Sequence, residues 1–395
     1  MIASQVNRLR GGVLAVVLSL VTLGASVSVG ALGAQSATAS TPPFAVKLSA
    51  SEVSNLKSDL ATARRPTRWI APGPAFKVRS LKGKTIWLLN DATNQWADQF
   101  AAGVKAAVEA AGAKYAQGSG GPSGTQDNQA IENAVNQHVD AIIEIQNPKV
   151  VSTGLLKAKA ARIPVTLAFD GNAHLPTTAE KNLGITGIAD YCYSCTGYIA
   201  AEYEILAHHG DVTSQIEQFP GQTSSDTIAL GWNEALKKFC SKTCSTTDVD
   251  LSMAGNFIQS VQSGAQVAAQ GGKINVLFPV YDYLMAFQLP ELKAAKAAGR
   301  IDLASENADL AQMQELAAGG SVKANVGNPV AWDGWAAVDQ TLRVLKHLPP
   351  VKNEHLPVRL FDTSNIHSIN LKENPSLWYG TTTYSLDYEK LWGVK

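Results

Sequence analysis

The sequence predicts an α/β protein built of two doubly wound parallel-sheet lobes, and three observations carry that prediction. Short apolar runs of strand length recur after residue 76, they are continuous rather than alternating, and Ala-rich stretches with helical spacing separate them. Strands buried on both faces read as unbroken apolar runs, and amphipathic helices between them cover the two faces of a parallel sheet. So many strands in a chain of 395 residues suit two lobes better than one sheet.

The elements follow in order. Arg8 and Arg10 precede an apolar run over 13–23 and small residues ending Ala37-Thr38-Ala39. A positive end, an apolar middle and small residues make a secretory signal, assigned to 1–39 with cleavage after Ala39 or, second, Ala34. The rival is a retained membrane anchor, but a spanning helix needs about 20 predominantly apolar residues, and Ser, Thr and Gly dilute this run. Position 35 is Gln, so the cysteine of a lipoprotein signal is missing and no lipid anchor is encoded. Residues 40–76 form an N-terminal extension, with a polar helix over 50–63 and a Pro-rich connector over 66–74. Strands are predicted at 85–89, 141–145, 165–168, 183–188, 274–280, 301–304 and 322–326. Helices are predicted at 95–111, 126–137, 150–161, 197–207, 227–239, 284–298, 309–318 and 332–348.

Charge and motifs exclude several function classes. The 33 Lys and Arg balance 33 Asp and Glu, so no basic footprint asks for nucleic acid or acidic lipid. The segment 118–125 is glycine-rich, but no Gly-Lys-Ser/Thr follows, which makes it a surface loop rather than a phosphate loop. No Gly-x-Ser-x-Gly, His-Glu-x-x-His or paired catalytic carboxylates occur. His208-His209 ends a helix before Gly210, where imidazolium suits the helix dipole and glycine the cap. That reading is preferred to a metal site, and neither a metal nor a cofactor is expected. With four cysteines in an exported chain, disulfides are the default.

Lys84-Thr-Ile-Trp-Leu-Leu-Asn90, Asp91-Ala-Thr-Asn94-Gln-Trp96 and Gly103-Val-Lys-Ala-Ala-Val-Glu-Ala-Ala-Gly112 resemble the opening of sugar-type, ribose-binding-like (type I) periplasmic binding proteins of ABC transporters. The likeness continues through Gln129–Val135, Val139–Ile143, Asn147-Pro148, Ala161–Thr166, Gly231–Lys238, Tyr281-Asp282 and Ala331–Trp335. It covers residues 77 to 362. Each motif is weak alone, but their order and spacing together are specific. The resemblance implies two lobes joined by a hinge, 77–189 with 328–360 as lobe I and 190–327 with 361–395 as lobe II. It implies an exported monomeric receptor, not an enzyme, that binds a small solute between the lobes and delivers it to a membrane permease. A sensory role is a variant. A LacI-type repressor would need a basic helix-turn-helix where this chain has its signal.

In open α/β sheets ligands bind beyond the carboxyl ends of the strands. Asn90, Asp91, Asn94 and Trp96 follow the first strand, Gln146 and Asn147 the next, then Asp170, Tyr191, and Tyr281 with Asp282. Amides and carboxylates grip hydroxyls directionally, while an indole or phenol covers the apolar face of a ring. The resemblance adds Trp96 as a ligand platform, Asp170 as a ligand-gripping aspartate and Asn307 as its second-lobe counterpart. Asn328 and Trp332 complete the candidate set. Plainer roles compete: Asn94 as a helix cap, Asp282 as another, Asn328 as a hinge residue, and core burial for Trp332 or Trp335, one helical turn apart.

Departures from the family pattern matter. Gly171 stands where many sugar receptors have an arginine, Ile228 replaces another, and Tyr281 replaces an asparagine. Losing two guanidinium forks removes about ten N–H donors, so a less hydroxylated or aromatic solute competes with a pentose or hexose.

Asp190-Tyr-Cys192-Tyr-Ser-Cys195-Thr-Gly197 lies between a strand and a helix, the local context of a thioredoxin-like dithiol. A thiol-disulfide oxidoreductase using Cys192 and Cys195 is therefore the alternative function. In a lobe of the implied kind, the helix over 197–207 descends from the cleft, a strand near 215–218 climbs back, and the helix over 227–239 descends again. Cys240 and Cys244 then lie about 20 Å from Cys192, at about 1.5 Å per helical residue. Disulfides need Cα atoms within about 7 Å, and zinc ligands must converge. Local pairs Cys192–Cys195 and Cys240–Cys244 are expected.

Overall fold

Ser49 accepts the amide of Glu52, and Glu52 accepts the Ser49 amide in return; this reciprocal cap starts α1 (Ala50–Ala63). The computed structural model describes residues 48–90, 94–121, 123–252, 256–380 and 383–394. The expected signal over 1–39 and the candidate Asp91 lie outside the described residues.

After α1 come β1 (Thr85–Leu89), α2 (Gln95–Ala110), β2 (Lys114–Gly118), α3 (Gly124–Asn136), β3 (Ala141–Glu144), α4 (Ser152–Ala160), β4 (Val165–Ala168), α5 (Thr178–Leu183) and β5 (Ile185–Ala189). These strands form a parallel sheet in the order β2-β1-β3-β4-β5. The chain then crosses to α6 (Tyr193–Ala207), β6 (Thr213–Gln218), α7 (Thr223–Cys240), β7 (Ser245–Asp250), α8 (Phe257–Gly271), β8 (Val276–Pro279), α9 (Met285–Ala294), β9 (Asp302–Asn307), α10 (Leu310–Ala317) and β10 (Val322–Gly327). It returns as α11 (Val330–Leu345) against β3, β4, β5 and α2. Finally β11 (Arg359–Asp362) joins the second sheet, and α12 (Tyr384–Leu391) packs on α11.

The second sheet runs β11-β10-β9-β8-β6-β7, parallel except for β11 against β10. Read from β7, it repeats the doubly wound order of the first sheet with β11 added. Each lobe therefore has a switch point where successive strands leave in opposite directions, between β1 and β3 and between β6 and β8. Loops diverge there and leave a crevice. Each lobe also has a helix crossing that needs glycine: a Cβ on Gly103 of α2 would sit 2.2 Å from the Ala331 carbonyl oxygen, and one on Gly197 of α6 2.0 Å from that of Ile228.

Elements without continuous apolar runs escape the sequence prediction for physical reasons. β2 and β7 are edge strands whose residues are exposed or half-buried. β6 is central but polar, so the implied lobe places a strand near 215–218 although its own pattern does not announce one; its buried Gln215 donates to the Gly264 carbonyl and its buried Glu217 accepts from Gln288. The predicted strand start at 183 lies in α5, which Gly184 ends at φ 102°, so β5 begins at Ile185.

The terminal segments depart from the predicted division. Residues 361–395 were placed in lobe II and 328–360 in lobe I, but β11 enters the second sheet at Arg359, and α12 packs on first-lobe α11. There Trp335 stacks on Trp392 at 5.4 Å. The extension meanwhile lays α1 on α6 and β11, fixed by an Arg64–Asp362 ion pair. Among the described residues, no helix is long and apolar enough to cross a membrane.

Candidate functional site

The first lobe brings aromatic rings to its switch point. Trp96, in the first turn of α2, is half-buried and stacks on Phe100 at 5.9 Å. Phe169, just after β4, meets it edge-on at 4.3 Å. The row continues over the crossover into the second lobe, from Phe169 to Tyr191 at 6.4 Å and from Tyr191 to Tyr193 at the start of α6 at 4.0 Å. Asn94 sits beside this row as the cap of α2, its side-chain oxygen accepting the Ala97 amide at 2.9 Å. A cavity of about 480 Å³ is lined by Asn94, Gln95, Asp98, Gln99, Ala331 and Asn374, away from Trp96's ring partners.

The second lobe answers with its own row. Tyr281, after β8, stacks between Phe219 at 5.9 Å and Tyr283 at 6.1 Å, and Phe219 stacks on Phe257 at 5.9 Å. The Tyr281 hydroxyl hydrogen-bonds the Ser224 hydroxyl at 2.7 Å.

Polar contacts join the two edges. Asn147 donates to the Gly221 carbonyl across the cleft at 2.9 Å. Burial raises the Asp170 carboxyl above its usual range, while a hydrogen bond from second-lobe Thr223 opposes that shift. Asp190 is buried and accepts the amides of Phe169, Asp170 and Gly171, fixing the loop that carries Asp170. Burial, with the like charge of Asp170, pushes Asp190 up to about 8.

The floor is an acidic network at the carboxyl ends of β8, β9 and β10. Tyr191 donates to Glu306 at 3.0 Å. Asn307, in a left-handed conformation at φ 93°, turns its amide nitrogen to Glu306 at 2.7 Å. Asp282 accepts from the Asp309 amide and the Asn325 side chain. Asp333 accepts from Asn328 where β10 crosses to α11. Burial raises Glu306, Asp282 and Asp333, and takes Asp309 up to about 6. No Lys or Arg forms an ion pair with any of these carboxylates among the described residues.

The geometry thus gathers Trp96, Asn147, Asp170, Tyr191, Tyr281 and Asn307 around one inter-lobe crevice. Asn94 is used as a cap beside it, Asn328 holds Asp333 at the crossover, and Trp332 is fully buried against Tyr384 of α12 at 5.0 Å. Asp282 ties three strand ends together rather than capping the helix that follows it. Sequence reasoning missed Phe169, Tyr193, Phe219, Asp190 and Glu306. Four of these adjoin or neighbour a candidate it did name, and Phe219 follows a strand too polar to stand out.

Both cysteine pairs are local disulfides, Cys192–Cys195 with Cα atoms 5.1 Å apart and Cys240–Cys244 with 5.3 Å. The first lies at the crossover into α6, the second at the end of α7.

A family model for a periplasmic binding protein domain matches residues 86–349. Among curated proteins, none matches. Solved structures with this fold include an ABC sugar transporter subunit from Rhodobacter sphaeroides at a TM-score of 0.63 and 18% identity, spanning 72% of this chain and 100% of that one. An ABC transporter solute-binding protein from Agrobacterium vitis with bound allitol has a TM-score of 0.65 and 16% identity, spanning 74% and 100%. The solute-binding protein of a 5-methylthioribose transporter from Thermotoga lettingae, in complex with 5-methylthioribose, has 0.66 and 13%, spanning 79% and 98%. Nothing among these matches favours the oxidoreductase alternative.

Proposed function

The chain belongs to the periplasmic binding protein domain family, and on that footing we propose that it is the solute receptor of an ABC importer, a monomer that takes one small molecule between its lobes and hands it to a membrane permease. The observation that carries this reading is an aromatic row that runs from first-lobe Trp96 and Phe169 to Tyr191 and Tyr193 at the entry to the second lobe, with a second row about Tyr281 in that lobe and an Asn147–Gly221 hydrogen bond bridging the two lobes. Trp96 and Tyr281 supply flat apolar faces, while Asp170, Asn147 and Asn307 supply hydrogen bonds to hydroxyls or amines. A ligand gripped from both sides favours the closed arrangement through contacts absent when the lobes part. The role is binding rather than catalysis. The signal expected over 1–39 would deliver the chain beyond the cytoplasmic membrane.

The electrostatics narrow the solute. Among the described residues no Lys or Arg is paired to the buried carboxyls of the floor, so an anion would be desolvated there without a counter-charge, and a neutral or cationic solute is favoured. The structural relatives bind allitol and 5-methylthioribose, and a polyol or a sugar carrying an apolar substituent fits aromatic walls poor in guanidinium donors. A thermal-shift screen of polyols, sugars, substituted ribosides, amines and their anionic counterparts tests this. A neutral or cationic hit at 100 times its dissociation constant is expected to add about 2.7 kcal/mol. Hits confined to carboxylates or phosphates would contradict the proposal.

A further inference from the structure

α6 and β9 meet at both their ends. At the cleft, Tyr191 just before α6 bonds Glu306 near the end of β9. At the opposite pole, the last turn of α6 brings Glu204 and His208 against Asp302, the first residue of β9. Glu204 and His208 stand four residues apart, so they share one helix face, and Asp302 is fixed by its amide donating to the Asn275 carbonyl at 2.9 Å.

The arrangement has the dimensions of a metal site. His208 Nε2 lies 3.1 Å from Asp302 Oδ2 and 3.4 Å from Glu204 Oε2, and the three donor atoms all fall within 4.8 Å of one another. Ligand atoms about 2.0–2.1 Å from a tetrahedral zinc are separated by about 3.3–3.4 Å, which those two edges approach. A second observation is independent of the spacing. The Glu204 side chain is completely buried, and apart from the 3.4 Å approach of His208 Nε2 to Oε2 its oxygens have no hydrogen-bond partner among the described residues. A buried carboxylate is normally supplied with donors or a cation, and this one faces the other two donor groups. The His208 and Asp302 side chains are 22% and 19% exposed, leaving a way in and room for a water as fourth ligand.

The geometry points to Glu204, His208 and Asp302 as a binding site for zinc. One imidazole and two carboxylates suit a borderline cation, whereas calcium and magnesium favour six or more oxygen ligands or retained waters. Lys323 is the nearby positive charge, and its ammonium is engaged with the Gly320 carbonyl at 2.8 Å. The bound ion ties the end of α6 to the start of β9, at the pole away from the crevice. It therefore stabilises the second lobe and leaves solute affinity alone. The competing account is a protonated His208 paired with both carboxylates and no affinity for metal.

Calorimetric titration of the untagged, chelator-treated protein with zinc chloride at pH 7.5 distinguishes the two. One equivalent should bind, magnesium should not, and the melting temperature should rise with zinc. His208→Gln and Asp302→Asn should each weaken binding at least tenfold, while His209→Ala, one residue on, should not. Should either variant fail to fold, X-ray absorption on the wild-type zinc complex decides: nitrogen and oxygen neighbours at about 2.0–2.1 Å support the site, and a sulfur shell overturns it. Absence of stoichiometric binding, or unchanged affinity in His208→Gln, would also overturn it.

Discussion

β9 has a buried acidic cluster at each end, and the two ends are provided for differently. At Asp302 the chain supplies an imidazole from the same lobe, His208, whose Nε2 lies 3.1 Å from Asp302 and 3.4 Å from Glu204. At Glu306 it supplies a phenol, an amide and more carboxylates, with no Lys or Arg paired to them among the described residues. One end is closed by a single lobe. The other faces the crevice beside the crossover that carries Asp333 into first-lobe α11. A cluster gathered within one lobe, with an imidazole to share a bound ion, ties that lobe together, whereas one dependent on polar neutral groups costs free energy until protons or a ligand relieve it. The same strand thus separates a structural pole from a functional one.

The sharpest way to break this contrast is to injure the cleft and watch both affinity and stability. Trp96→Ala should weaken binding of the solute found by screening by about 1–3 kcal/mol, roughly fivefold to 150-fold, with little loss of melting temperature. Trp96 lies at the crevice, half-buried, with rings on only part of its surface. Unchanged affinity would place the solute elsewhere.

A smaller effect sharpens the electrostatic half of the comparison. Asp190 has a folded value of about 8 against an ordinary 3.8. A carboxyl raised on folding favours the native state most when protonated, so its contribution is largest below the ordinary value and is lost as pH climbs toward 8. The unliganded protein should therefore lose stability between pH 5 and pH 8, and Asp190→Asn should make that slope shallower by up to about 1.4 kcal/mol per pH unit. Equal slopes in wild type and variant would mean that the cleft acids are not the source of the strain.

Much of this was legible in the sequence, and the gaps have physical causes. The buried central strands announced themselves as apolar runs, so the β1, β3, β4, β8 and β10 positions were evident, along with the residues just beyond them: Trp96, Asn147, Asp170 and Tyr281. β2 and β7 lie on edges where water satisfies one side, and β6, expected near 215–218 only from the implied lobe, carries no apolar run because Gln215 and Glu217 are paired internally. The interweaving of the termini was also out of reach, because Arg64–Asp362 and Trp335–Trp392 are contacts between segments remote in sequence. The far-pole cluster shows the same limit. Glu204 and His208 are neighbours on a helix, but only the fold brings Asp302 to them.

The central claim is that a solute is held between two lobes that close on it. Small-angle X-ray scattering of the monomer, with and without the solute identified by screening, measures that directly. The account predicts a smaller radius of gyration at saturation, with the change reduced in Tyr281→Ala, whose phenol acts from the second lobe. Tight binding with an unchanged scattering curve would contradict it, leaving a rigid site in place of a closing receptor.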